Sequence, residues 1–397
     1  MFIMPSELEG AARSRLLAAL PAVLPPLCLC AAAGLATIGL AGCSTTFTPR
    51  DRAKIESLSP IPAPLPRPTN AFADNPQAAA LGKELFFDAG LSADGKRSCA
   101  TCHDPQKHFT DGKRFADGIG SGPGGTRNVP SIESVPWQTW FFWDGRADSA
   151  WAQAAGPIRN PIEMANTAAG VRERVISAHL AAWTPVFGEV PEDPDATLAM
   201  VGKAIEAFER TISPGPARFD QYVADIRSAG SSSVLTPQEA HGLEIFIDDG
   251  CTNCHSGPLF TDGSFHNIGV PQVAHGGLDP GRALGAIQVK QDPFNCVGVF
   301  ADPGPTGPAD CPELRFLDTS FPDWPLAFKT PSLRNVTKTA PYMHDGSFAT
   351  LDAVLMFYSE LPGIPLVGHR ELTLQPLRLS GGDRADLIAF LGTLEGT

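Results

Sequence analysis

The stretch "CTNCH", residues 251–255, repeats a pattern already present as "CATCH" at residues 99–103. Two cysteines separated by two residues and followed at once by histidine admit three chemistries. A zinc site needs further ligands close by, such as a second C-x-x-C beside each copy. A thioredoxin-like redox pair needs no following histidine and expects a βαβ setting. Covalent attachment of c-type haem uses every letter: the thiols add to the two vinyl groups and the histidine binds iron. Each copy follows a helix-like run rather than a βαβ unit, and the haem reading explains why the pentad occurs twice. Cys99, Cys102 and His103 then hold one haem c, and Cys251, Cys254 and His255 hold another.

The surroundings of the two pentads repeat as well. "LGKELFFD" (81–88) precedes the first and "HGLEIFIDD" (241–249) the second, and "FTDG" follows both, at 109–112 and 260–263. "RNVPS" (127–131) is echoed by "LRNVT" (333–337), and "FFWDGR" (141–146) by "YMHDGS" (342–347). Recurrence in the same order reads as two related units. Aligning the Asp-Gly pairs sets Trp143 against His344. Apolar spacing in "MVGKAIEAFERTI" (200–212) is helical, and "ARFDQYVADI" continues the theme. Thr236 before Pro237 fits a capped helix start for the second unit. No sustained strand alternation is present. The expected fold is mainly α: two tandem helical haem domains, 71–230 and 231–397.

A chain of 397 residues suits two domains. Charged residues make up only 18%, while Gly (39) and Pro (38) are abundant, which suits a loop-rich fold wrapped around something besides its own side chains. The net charge of −13 argues against nucleic acid and favours a cationic partner. Residues 1–42 read as a leader, with Arg13 and Arg15 before an apolar run from Leu16 to Leu40. "LAGC" (40–43) has the form of a lipoprotein cleavage site, which makes Cys43 the lipid-bearing residue; a plain membrane anchor with an incidental cysteine is the alternative. Glu7 and Glu9 are unusual in such a leader and suggest a start at Met4 or later. Ser44 lacks the aspartate that commonly retains lipoproteins at the inner membrane, so a periplasmic protein anchored to the outer membrane is expected. The Pro-rich run "SLSPIPAPLPRPTN" (57–70) completes a tether over 43–70. Cys28 and Cys30 leave with the leader, and Cys296 and Cys311 are free to pair as a disulfide in an oxidising compartment.

The order LFFD, CATCH, FTDG, RNVPS, FFWDGRADS, GPIRNPIEM, AFERTIS, CTNCH, FKTPSLRNV, PYMHDGSFATL resembles the bacterial di-haem cytochrome c peroxidase and MauG family over about residues 72–395. The resemblance implies two tandem cytochrome c-like haem domains packed at an interface, with a first haem that reacts with hydrogen peroxide and a second that stores or relays electrons. It places the second haem's distal ligand in the helix after the P-Y-x-H-D-G motif, where this chain has Tyr358 in place of the peroxidases' Met; Met356 is two residues away, on nearly the opposite face. Tyr358 resembles that of the MauG-like branch, and a phenolate lowers the haem potential relative to His/Met ligation; a core tyrosine is the plainer alternative. Peroxidases that need reductive activation carry a distal histidine in the loop reading "FADGIGSGPGG" here, which has none, and His108 is too close in chain to His103 to reach the opposite face. The first haem is therefore expected to be five-coordinate.

By the same resemblance, Glu163 in "GPIRNPIEM" matches the acid–base carboxylate, Gln153 a pocket amide, Pro157 a residue packed near the haem, and Trp143 the tryptophan between the haems. An exposed glutamate and an interface-filling tryptophan are the alternatives. Asn128, Thr339 and Pro341 match ligands of one interface Ca2+, hard oxygen donors of a suitable type. Three functions compete: reduction of peroxide with electrons from a small cytochrome c or copper protein, MauG-like oxidation of a partner protein, and plain electron transfer. Glu163 and the missing distal histidine disfavour the last. The stretch "IDDG" before Cys251 has no Trp or Tyr to relay electrons to a partner, while Tyr358 points back towards MauG.

Overall fold

The computed structural model describes residues 47–120, 122–271, 277–304, 307 and 310–396. The segment read as a leader and Cys43 lie outside them. The helices in chain order are α1 (Pro49–Ser57), α2 (Pro76–Phe87), α3 (Cys99–Cys102), α4 (Ala150–Arg159), α5 (Ala168–Arg174), α6 (Leu180–Phe187) and α7 (Pro194–Glu209). There follow α8 (Arg218–Ala229), α9 (Pro237–Asp248), α10 (Arg282–Gln291), α11 (Pro312–Arg315), α12 (Leu351–Glu360) and α13 (Gly381–Gly392). The sheet is minimal: β1 (Phe265–His266) pairs antiparallel with β2 (Phe328–Lys329), Phe265 opposite Lys329. The mainly helical fold expected from the sequence is the observed one.

Each repeat is built on a helix crossing at one glycine. In the first, α2 meets α7 so closely that a Cβ on Gly82 would lie 1.8 Å from the Ala204 carbonyl oxygen. In the second, α9 meets α13, and a Cβ on Gly242 would lie 2.0 Å from the Asp386 oxygen. Gly82 and Gly242 are the glycines of the echoed "LGKELFF" and "HGLEIFI". Around the first crossing Leu81, Leu85, Phe86, Trp151, Trp183, Leu198 and Ile205 form one core. Around the second, Phe219, Leu243, Phe246, Phe260, Leu387 and Phe390 form another. A smaller cluster of Ala286, Val289, Leu314 and Leu317 lies by the Cys296–Cys311 disulfide, whose Cα atoms are 6.2 Å apart.

The start of α9 follows its sequence: Thr236 accepts from the Glu239 N–H while Glu239 accepts from the Thr236 N–H, with Pro237 in the first turn. The stretch 57–70 differs from the expected tether. Ile55 and Leu58 are buried in the second core. Ser59 donates to Asp220 at 2.7 Å, the Pro62 carbonyl accepts from the Trp137 indole at 2.8 Å, and Arg67 pairs with buried Glu206 at 3.1 Å. Prolines hold the run extended but do not keep it in solvent. The residues between them supply the anchors that dock it.

Candidate active site

The turns that carry the two pentads are superimposable in their bonding. His103 N–H donates to the Cys99 carbonyl at 2.8 Å and His255 N–H to the Cys251 carbonyl at 2.9 Å. His103 Nδ1 then meets the Phe109 carbonyl at 3.0 Å, and His255 Nδ1 the Phe260 carbonyl at 2.9 Å. A carbonyl only accepts, so Nδ1 carries the proton in both rings and Nε2 keeps its lone pair. Phe109 (φ 57°) and Phe260 (φ 54°) both adopt the left-handed conformation that turns their carbonyls to the imidazoles. Burial pushes both histidines below their ordinary value, which favours the neutral, ligating form.

One continuous cavity of about 1180 Å³ passes both histidines and all four pentad cysteines. Cys99, Cys102, Cys251 and Cys254 are free thiols. Burial raises Cys99 and Cys251 to about 12 and Cys102 to about 11, so they are neutral. Zinc would need such sulfurs gathered as thiolates. Among the described residues, the group closest to a metal cluster is Cys254, Asp262 and His266. There His266 lies between Asp262 (2.9 Å) and Glu371 (3.0 Å), chiefly through Asp262 pushed up to about 11, so its imidazolium already serves both carboxylates. Paired thiols, an adjacent Nε2 and a large apolar cavity fit haem c instead.

The repeat continues beyond the pentads. Phe142 (φ 64°) and Met343 (φ 71°) are left-handed, as are Gly145 (φ 67°) and Gly346 (φ 61°), and the bridges Phe141–Ala147 and Tyr342–Phe348 close the same loop twice. Ser149 caps α4 by accepting from the Ala152 N–H, and Thr350 caps α12 by accepting from the Ala353 N–H. Counted from these caps, Pro157 in α4 and Tyr358 in α12 are equivalent. Both line the cavity. Tyr358 O–H has no hydrogen-bond partner among the described residues, and burial pushes its phenol above the ordinary tyrosine value. Met356 points outward, 37% exposed. Proline has no donor atom, so the position that offers an oxygen in the second repeat offers none in the first. Extending the Asp-Gly alignment by fourteen residues, from Trp143 to Pro157, would have revealed this equivalence from the sequence.

Glu163 and Gln153 line the first-repeat side of the cavity together with Pro157. Burial raises the Glu163 carboxyl above its ordinary value, opposed by the nearby Arg146 charge. Arg146 lies 3.5 Å over the Phe142 ring and is held by Asp144 at 3.0 Å. His108 turns away to Glu133 at 3.1 Å and does not line the cavity.

Trp143 lies at the seam between the repeats. Its indole donates to the Asn128 carbonyl at 2.9 Å, Asn128 N–H donates to the His344 carbonyl at 2.8 Å, and the Trp143 carbonyl accepts from Lys329 N–H at 2.8 Å. Asn128 Nδ2 donates to the Lys113 carbonyl at 2.9 Å, which leaves its Oδ1 as an acceptor; Asn128, Thr339 and Pro341 all line the cavity. The seam also holds residues that sequence reading passed over. Arg127 pairs with Asp144 at 2.6 Å and Asp279 at 2.8 Å. Arg282, 1% exposed, lies 4.1 Å over Trp140 and 4.2 Å over Phe265. Asp279 lies 152 residues from Arg127 in chain, and Trp140 is likewise distant from Arg282, a separation that leaves no local pattern.

Two histidines with free Nε2 atoms, four thiols and a shared cavity between two cytochrome-like repeats define a di-haem c-type cytochrome. The family model described as di-haem cytochrome c peroxidase matches residues 76–228. The methylamine utilization protein MauG of Methylorubrum extorquens is 35% identical over 90% of this chain and 89% of its own. Cytochrome-c peroxidase IdrP2 of Denitromonas iodatirespirans is 32% identical over 91% of this chain and 90% of its own. Among solved structures, the diheme peroxidase BthA from Burkholderia thailandensis matches with a TM-score of 0.65 at 28% identity, covering 82% of this chain and 87% of that one. The chain belongs to the di-haem cytochrome c peroxidase and MauG family, and is a haem c oxidoreductase acting on peroxide.

Proposed function

We propose that the first repeat reduces hydrogen peroxide at a haem that Cys99, Cys102 and His103 would hold, with no ligating side chain at Pro157. The second haem, which Cys251, Cys254, His255 and Tyr358 would hold, would serve as electron reservoir. The observation that carries this reading is the equivalence of Pro157 and Tyr358. Bound haem supplies the iron at which the peroxide O–O bond is reduced, two electrons and two protons giving two waters. Glu163 would take a proton from one peroxide oxygen and return it to the other, departing oxygen. Gln153 orients peroxide as a hydrogen-bonding amide. Trp143, pinned by Asn128, offers an aromatic ring between the two centres, and its N–H rests on a carbonyl that cannot take a proton. Asn128 Oδ1 and the carbonyls of Thr339 and Pro341 are suited to one Ca2+ at the seam.

The electrons come from a small cytochrome c or copper protein. The leader supports a periplasmic location with lipid on Cys43. Among the described residues no helix is long and apolar enough to cross a membrane. Tyr358 and the MauG relatives also favour a second reading, oxidation of a partner protein in place of peroxide detoxification. The test is a resting electron-spin spectrum of the holoprotein. One high-spin and one low-spin ferric haem are expected, with reaction towards peroxide needing no prior reduction. Tyr358→Phe should open the second haem to added ligands such as cyanide. Two low-spin haems, or a second haem indifferent to that substitution, would overturn the ligand assignment. Peroxide turnover with a reduced cytochrome c, compared with turnover on candidate protein substrates, separates the two readings.

A further inference from the structure

Among the described residues that line the cavity, Lys329 is a cation whose charge no carboxylate answers. It lines the cavity from β2, and its Nζ donates to the Gln138 side-chain oxygen and to the Trp140 carbonyl at 2.9 Å, both neutral acceptors. No carboxylate pairs with it among the described residues. The seam's acids are already engaged: Asp144 holds Arg127 and Arg146, and Asp279 holds Arg127. Arg282, packed on the same Trp140 and Phe265, also bonds only to carbonyls, those of Asp144 at 3.2 Å and Gly145 at 2.6 Å. Burial alone pulls the Lys329 ammonium down to about 7. A cation in such a place is costly unless an anion arrives with the ligand. Each haem brings two propionates, and neither repeat is complete without its haem.

We propose that Lys329 pairs with a haem propionate at the seam and, as a fixed positive charge, raises the reduction potential of the haem it holds. The backbone of Lys329 belongs to the second repeat, one residue before Thr330, whose carbonyl accepts from Thr261 at 2.7 Å close to the His255 turn. Its side chain reaches across to Gln138 and Trp140 of the first repeat. The pair therefore joins the two repeats through the ligand, beside the Trp143 carbonyl that its own N–H holds. Lys329 is a positioning residue: it acts on the haem's charge and touches neither peroxide nor the reacting atoms. The inference rests on haem occupancy and not on the peroxidase reading, and its readout is electrochemical.

The experiment compares Lys329→Gln and Lys329→Arg with the native holoprotein at equal haem content, using spectroelectrochemical titration of both haems. Removing the positive charge stabilises the ferric state, so Lys329→Gln is expected to lower one haem's potential by at least about 59 mV, a tenfold change in a one-electron equilibrium. Lys329→Arg should restore most of it. Unchanged potentials in Lys329→Gln, or an equal fall in Lys329→Arg, overturn the proposal. If Lys329→Gln does not load both haems, resonance Raman of the native protein and Lys329→Arg decides. A shifted propionate bending band on one haem supports the pair, and identical bands refute it.

Discussion

At the scale of single residues, Glu163 carries the sharpest consequence. As the cavity carboxylate matched to acid–base work, it should contribute roughly 10²–10⁴-fold to peroxide turnover. Glu163→Gln should keep both haems and lose most of that rate in a stopped-flow assay; full turnover would move the proton shuttle elsewhere. In the proposed role, Glu163 must be ionised to accept the first proton. Burial raises its pKa above the ordinary 4.5. Turnover should therefore fall as pH drops through a value above 4.5, and Glu163→Gln should flatten that acid limb. The residue scale is also where sequence reading reached least far. Glu163, Trp143 and Tyr358 stood out because each lies in a motif. Lys329 and Arg282 did not, because their meaning comes from what the fold leaves unpaired around them.

At the scale of elements, α4 and α12 are one design used twice, with a different residue at the position facing the cavity. Pro157→Tyr should give the first repeat the oxygen that the second already has. The expected result is loss of the high-spin ferric signal and slower peroxide reaction, with the second haem unchanged; a persistent high-spin signal at full haem content would show that α4 does not present this position to the iron. The α9–α13 crossing is equally specific. A Cβ at Gly242 would fall 2.0 Å from a backbone oxygen, which cannot swing aside. Gly242→Val should destabilise the holoprotein by about 3 kcal/mol, read from denaturant melts. Should the melts coincide, the two helices have room to part. Both glycines, both pentads and the echoed turns were legible as repeats because local backbone chemistry imposes them. The docking of 57–70 was not: proline content reports stiffness, while Ile55, Leu58 and Arg67 needed a surface to meet.

At the scale of the whole molecule, the net charge of −13 makes a cationic electron donor the natural partner. Its encounter should depend on salt. Raising ionic strength from about 0.01 M to about 0.15 M shortens the screening length from about 30 Å to about 8 Å. The KM for a basic cytochrome c should climb accordingly while the limiting rate stays level. A KM insensitive to salt would point to an apolar contact or to an uncharged donor.

The docked N-terminal run sets a leash length. Six peptide steps separate Cys43 from Pro49, the first residue of α1, and a fully stretched chain advances at most about 3.6 Å per residue. If Cys43 carries lipid, α1 stays within roughly 22 Å of the bilayer surface. The enzyme then rides against the membrane, with α1 and the α8 helix it packs on turned towards it. A donor would then have to approach away from the α1 face.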